Sequence, residues 1–169
     1  MLHGRRKTPL PGGCRVTGRR IVATGTFDIL HPGHLFYLEE SKKLGDELFV
    51  IVARDANVKH KPHPIIPEDQ RLAMVAALKP VDHAMLGDQT DMLRPIEKIH
   101  PDVITIGFNQ MFSEETLSRQ LAGRGLSPAI VRIGKFSGDD LCSSRLVVQR
   151  IITKRGHDHH QTGDQEKDH

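Results

Sequence analysis

Short apolar runs alternate with amphipathic stretches from about residue 20 to residue 153. Arg20–Thr24 (RIVAT) predicts a buried strand stopped by Gly25, and Glu47–Ala53 (ELFVIVA) a strand covered on both faces. Residues 83–86, Val103–Ile106 and Ala129–Ile133 complete a set of five strands. Between them, helical spacing predicts a helix over 33–44, with Leu35, Leu38 and Lys42 on one face and Gly45 as its stop. Further helices are expected over 67–78, with Pro67 in the first turn, and over 91–99, beginning or interrupted near Pro95. The last two are 114–124, with Ser113 as N-cap and Gly125 at the end, and 143–153.

Strands alternating with helices, joined by right-handed crossovers, imply a doubly wound parallel sheet of five strands, an α/β fold of Rossmann-like type. In such sheets ligands sit beyond the carboxyl ends of the strands, at the point where the strand order reverses.

Charge changes the picture next. The 169 residues carry a formal net charge of +3, which by itself suggests an anionic partner. Residues 1–20, however, hold six Lys and Arg and no acid, whereas 21–153 come to −2 and 154–169 to −1. The domain is therefore expected at 20–153, preceded by a basic, flexible arm (1–19) and followed by a disordered, His-rich tail (154–169).

The arm raises an RNA-binding reading, but it lacks the interleaved aromatics that stack on bases. No apolar run approaches the ~18 residues of a membrane span, and no apolar h-region marks a secretory signal. Two cysteines, Cys14 and Cys142, offer no disulfide framework, so a reducing cytoplasm is the expected compartment. No GxxxxGK[ST] P-loop is present.

The chemistry gathers after the first strand, in Gly25-Thr-Phe-Asp-Ile-Leu-His-Pro-Gly-His34. Such a turn delivers the chain to a helix N-terminus, where N–H groups and the dipole favour an anion. His31 and His34, three apart, can face one way and donate hydrogen bonds to a triphosphate.

This GTFDxxHxGH pattern resembles the nucleotidyltransferase superfamily whose HxGH element serves ATP or CTP. The runs LEESKKLGDELFVIVARD (38–55), KPHPIIPEDQRLAMVAALKPVDHAMLGD (61–88), PDVITIG (101–107) and FSEETLSRQL (112–121) are similar to the archaeal FAD synthase family. That resemblance implies transfer of AMP from ATP to FMN with release of pyrophosphate. It gives His31, His34 and Lys59 the catalytic roles. Thr26, Phe27, His31, His34, Asn109, Ser143 and Ser144 would bind ATP, and Asp28, Lys61 and Arg71 would contact phosphate or acceptor.

Several of these residues have a second reading from local structure. Asp28 fits a turn as well as the acceptor side, Lys59 and Lys61 an ordinary solvated loop, and Asn109 a strand-to-helix turn. Ser143 fits an N-cap, and Arg71 can pair with acids inside the fold. The superfamily's arginine before the Ser/Thr element is replaced near its position by Gly138, with Arg132 and Lys135 upstream.

No protein metal site is expected; a divalent cation such as Mg²⁺ would arrive with ATP. One Tyr and six Phe are available to stack on a flavin. The resemblance allows a homodimer and implies neither a nucleic-acid nor a membrane partner. Glycerol phosphate or a sugar phosphate as acceptor, with CTP or ATP, keeps the same fold and reaction type.

Overall fold

Five short, largely apolar runs pair edge to edge because an isolated strand cannot satisfy its backbone donors and acceptors. The computed structural model describes residues 18–59, 63–110, 113–138 and 141–155. In chain order the elements are β1 (Arg20–Gly25), α1 (Pro32–Lys42), β2 (Glu47–Val52), α2 (Glu68–Ala76) and β3 (His83–Leu86). Then come α3 (Arg94–Ile99), β4 (Val103–Ile106), α4 (Glu114–Ala122), β5 (Ala129–Arg132) and α5 (Ser144–Arg155). A 3-10 turn covers Asp55–Asn57. The expected arm through residue 17, Lys61, and the tail beyond Arg155 lie outside the described residues.

All strand pairs are parallel, in the order β3-β2-β1-β4-β5. The order reverses between β1 and β4, so the crevice at their carboxyl ends is the expected ligand site. Strand alternation divides the core. Ile21, Ala23, Leu48, Val50, Val52 and Val103 face α1 and α2, meeting Leu38 and Val75. Val22, Phe49, Ile51 and Ile104 face α3 and α4, meeting Leu93, Ile96, Ile99 and Leu121.

Where the observed elements depart from the pattern, a specific contact decides. Leu35 is 40% exposed, and α1 instead buries Tyr37, Leu38 and Ser41. Two of those are polar and find partners on the sheet. The Tyr37 hydroxyl donates to Thr105 O at 2.8 Å and accepts from Thr24 N at 3.2 Å. Ser41 Oγ donates to Tyr37 O at 2.7 Å and lies 2.8 Å from Thr105 Oγ1. Helix α2 begins at Glu68, with Pro67 outside it as N-cap; the Glu68 N–H is answered by the Asp55 carboxylate at 3.3 Å. Helix α3 begins only at Arg94, because Asp88 takes the N–H groups of Thr90 and Asp91, and Asp91 that of Leu93.

The two glycine stops differ. Gly125 has φ +74° and closes α4 with bonds Leu126 N→Leu121 O and Gly125 N→Ala122 O, both 3.0 Å, a Schellman arrangement. Gly45 is not left-handed; a Cβ there would fall 1.9 Å from Ile21 Cδ1 and 2.6 Å from Arg19 O, so it serves close approach to the start of β1.

These positions give opposite expectations. Gly45→Ala should destabilise by about 1–3 kcal/mol through overpacking. At Gly123 (φ −60°) the nearest atoms are 3.5 Å away, so Ala should be neutral or stabilise by about 0.4–1 kcal/mol. Urea unfolding midpoints check both.

Candidate active site

The turn from β1 into α1 is held in a form that few sequences tolerate. Phe27 has φ +53°, a conformation costing a bulky residue about 1–3 kcal/mol unless the surroundings over-determine it. They do so here. The Phe27 ring is buried, and a Cβ on Gly25 would lie 2.7 Å from it, which accounts for the glycine. Asp28 accepts from Ile66 N at 2.9 Å, fastening the approach to α2 over the turn.

His31 is the N-cap of α1, in extended backbone, with Pro32 next and His34 N donating to His31 O at 2.9 Å. The two imidazoles stack, centroids 3.8 Å apart and planes 21° from parallel. They are brought together as their spacing predicts. Burial holds the His31 pKa below its ordinary value. Gly33 leaves room for the segment before α5: a Cβ would lie 2.8 Å from Cys142 O and 3.1 Å from the His31 ring. Ser143 Oγ accepts from Leu146 N at 3.3 Å, so Ser143 caps α5 while standing beside the N-terminus of α1. Two helix starts, each favourable to negative charge, thus converge with both histidines. The backbone at Cys142, directly before Ser143 and Ser144, is what packs against Gly33 between the two histidines.

Arg71 was expected among the phosphate or acceptor contacts, and the structure places it elsewhere. Its side chain is 0% exposed. The guanidinium donates to Ile66 O at 2.9 Å, to Ala53 O at 2.8 Å, to Asp55 Oδ1 at 2.6 Å and to Thr26 O. With its donors turned onto these acceptors, Arg71 fixes the loops after β1 and β2 rather than facing a ligand. Arg54 supports the same region, bonding Gly87 O at 2.8 Å and Glu68 at 2.7 Å.

Lys59 is exposed on the loop after β2, and Asn109 on the loop after β4. Gln110, which the sequence pattern did not single out, is the residue that joins β4 to the site. Its side chain donates to Thr24 O at 2.7 Å and accepts from Gly107 N at 2.9 Å, spanning the switch point. Only its place directly after Gly107 and Asn109 hinted at this. Arg132 bonds Gly107 O at 3.1 Å, Gln110 O at 3.0 Å and Glu114 at 2.9 Å, so it braces that loop. Lys135 is exposed. The Tyr37 ring is buried and therefore not available to a flavin.

A groove of about 730 Å³ lies elsewhere, between the loop leading into α3 (Thr90, Met92) and α4 (Thr116, Leu117, Gln120). Its Arg124 is neutralised by Asp91 at 2.7 Å and Glu97 at 3.2 Å, which suits it poorly to a triphosphate.

Comparison with known proteins decides the affiliation. A family model described as Cytidylyltransferase-like matches residues 22–155. The chain is 72% identical over 138 residues to FAD synthase of Methanosphaerula palustris, covering 82% of this chain and 90% of that one. The chain belongs to the FAD synthase group of the cytidylyltransferase-like family. FAD synthase of Methanoregula boonei is 70% identical over 141 residues, covering 83% of this chain and 95% of the relative.

A solved structure described as the lipopolysaccharide core biosynthesis protein from Thermoplasma volcanium superposes with TM-score 0.69 at 47% identity. The match covers 71% of this chain and 99% of that one. Arg132, upstream of the Ser/Thr element, is turned onto the Gly107 carbonyl and Glu114.

Two outcomes test the site. Arg71→Met would strip Asp55 and three carbonyls of their buried donor and should cost roughly 3–5 kcal/mol by urea denaturation. Arg71→Lys should recover little, since an ammonium cannot reproduce the fork. Because the folded state depresses the His31 pKa, the unfolded chain takes up that proton first, so stability falls as pH drops below the ordinary imidazole value. His31→Gln should flatten that part of the stability–pH curve.

Proposed function

We infer that the chain is an FMN adenylyltransferase: it transfers AMP from ATP to FMN, giving FAD and pyrophosphate. The observation that carries this is the 72% identity, across 90% of its length, to a relative described as FAD synthase. A terminal phosphate oxygen of FMN attacks the α-phosphorus of ATP, a new P–O–P bridge forms, and the α–β bridging bond breaks. The leaving pyrophosphate gains charge, and charge neutralisation is what such a transfer most needs.

His31 and His34 donate to the α- and β-phosphate oxygens, and Lys59, with Lys61, covers the triphosphate. The backbone at Thr26 and Phe27 and the start of α5 at Ser143 and Ser144 complete the cradle. Asn109 bonds ribose or adenine. Phe108, 50% exposed on the same loop, is an aromatic face open to a flat ring.

The described residues hold no group of three His, Cys, Asp or Glu side chains placed to ligate a metal. A divalent cation enters on the triphosphate, because Mg²⁺ prefers phosphate oxygens and water to an all-protein cage. The reaction is placed in the cytoplasm. It requires neither nucleic acid nor membrane, and among the described residues no helix is long and apolar enough to cross one. A homodimer belongs to the same proposal and is checked by molar mass in solution.

A matrix of ATP and CTP against FMN, glycerol phosphate and a sugar phosphate, read by pyrophosphate release, tests the assignment. FAD should form from ATP and FMN, and His31→Ala or His34→Ala should lower kcat by at least about 10²-fold, the usual cost of losing a transition-state donor. Turnover confined to CTP with glycerol phosphate, or to a sugar phosphate, would replace this assignment.

A further inference from the structure

Four aromatic rings stand in series behind the candidate active site. His31 and His34 stack at 3.8 Å. The Phe27 ring meets His34 at 5.2 Å, tilted by 56°. The Tyr37 ring lies 6.4 Å from that of Phe27, its plane 25° from parallel. The outer end of the series is the pair of imidazoles, and the inner end is a buried phenol.

That phenol is fastened to both strands of the switch point. Its oxygen accepts the N–H of Thr24 in β1 at 3.2 Å and donates to the carbonyl of Thr105 in β4 at 2.8 Å. Ser41, one turn further along α1, repeats the attachment through Thr105 Oγ1 at 2.8 Å. Helix α1 is thus locked against rotation and sliding on the sheet. Rotation would carry Tyr37 off Phe27, and sliding would carry His34 off the turn it shares with His31.

Phe27 cannot relax alone. Its left-handed backbone holds the ring over Gly25, where a Cβ would stand 2.7 Å away.

We propose that Tyr37 is a positioning residue for nucleotidyl transfer, which holds the His34 imidazole, and through it His31, in register with the ends of β1 and β4 by way of the Phe27 ring. The proposal rests on the adenylyltransferase assignment for its kinetics but not for its geometry. Displacing a catalytic group by about 1 Å can cost 10²-fold in rate, because aligned donors matter most in the transition state. A loosened array should therefore lower kcat and leave ATP binding nearly intact.

Tyr37→Phe keeps the ring and removes the hydroxyl; Phe27→Leu keeps apolar bulk and removes the ring. Each is measured well below its own melting temperature. The expected result for Tyr37→Phe is a fall in kcat for FAD formation of about 10-fold or more, with KM for ATP within about twofold of the parent. In the double variant the two losses should be less than multiplicative, since both break one chain of contacts.

Proton NMR supplies a readout independent of turnover. The ring protons of His34, shifted by the face of Phe27 in the parent, should move towards their unstructured positions in both single variants. Unchanged histidine resonances, unchanged kcat, or a drop that merely follows the loss of folded protein would overturn the array, as would full multiplicativity. If the parent chain makes no FAD while its histidine resonances respond as described, the adenylyltransferase assignment falls and the array stands.

Discussion

A single buried guanidinium governs the geometry of the carboxyl edge of this sheet. Parallel strands that end side by side leave carbonyl oxygens pointing into the same small volume, and such groups cannot be buried without donors. Arg71, rising from α2, answers Thr26 O, Ala53 O and Ile66 O, and its charge is met by Asp55. The loop after β1 carries the histidines, and the loop after β2 carries Lys59. One residue therefore sets the distance between the groups proposed to embrace a triphosphate. It does so by fixing backbone rather than by touching the ligand.

The other side of the crevice is set by short-range hydrogen bonds. Gln110 ties β4 to Thr24, Tyr37 ties α1 to both strands, and Arg132 steadies the loop between β4 and α4. None of these depends on net charge. The crevice's attraction for an anion comes from helix starts and a few side chains at short range. Over a Debye length of about 10 Å, remote surface charge is screened, whereas donors inside a crevice are not.

The fold was legible because alternation of short apolar runs with amphipathic stretches is a local signal, and each of the five strands falls where the pattern predicts. The HxGH turn was legible for the same reason, with all its parts within ten residues. The supporting contacts were not. Tyr37 and Ser41 find their partner in Thr105, more than 60 residues away, a distance over which spacing carries no signal.

Arg71 stands at a spacing where a cation reads equally well as a ligand contact. The clue was its position four residues before Val75, on the buried face of α2. Helix α3 is shorter than its periodicity because aspartates at 88 and 91 capture backbone N–H groups and hold a turn. Competition of that kind is decided by side-chain geometry that composition does not contain.

The stacked histidines impose a last constraint on how such a site can work. Two imidazolium charges about 4 Å apart repel by roughly 4 kcal/mol at an effective dielectric near 20. Burial already disfavours the charged form of His31. At this spacing a charge on one ring disfavours a charge on the other. The donor capacity offered to an anion therefore lies in the pair rather than in either imidazole alone. It acts only if both rings already point at the same spot. For that reason the neutral scaffold behind them, from Gly25 and Phe27 to the Tyr37 hydroxyl, matters as much as the imidazoles themselves.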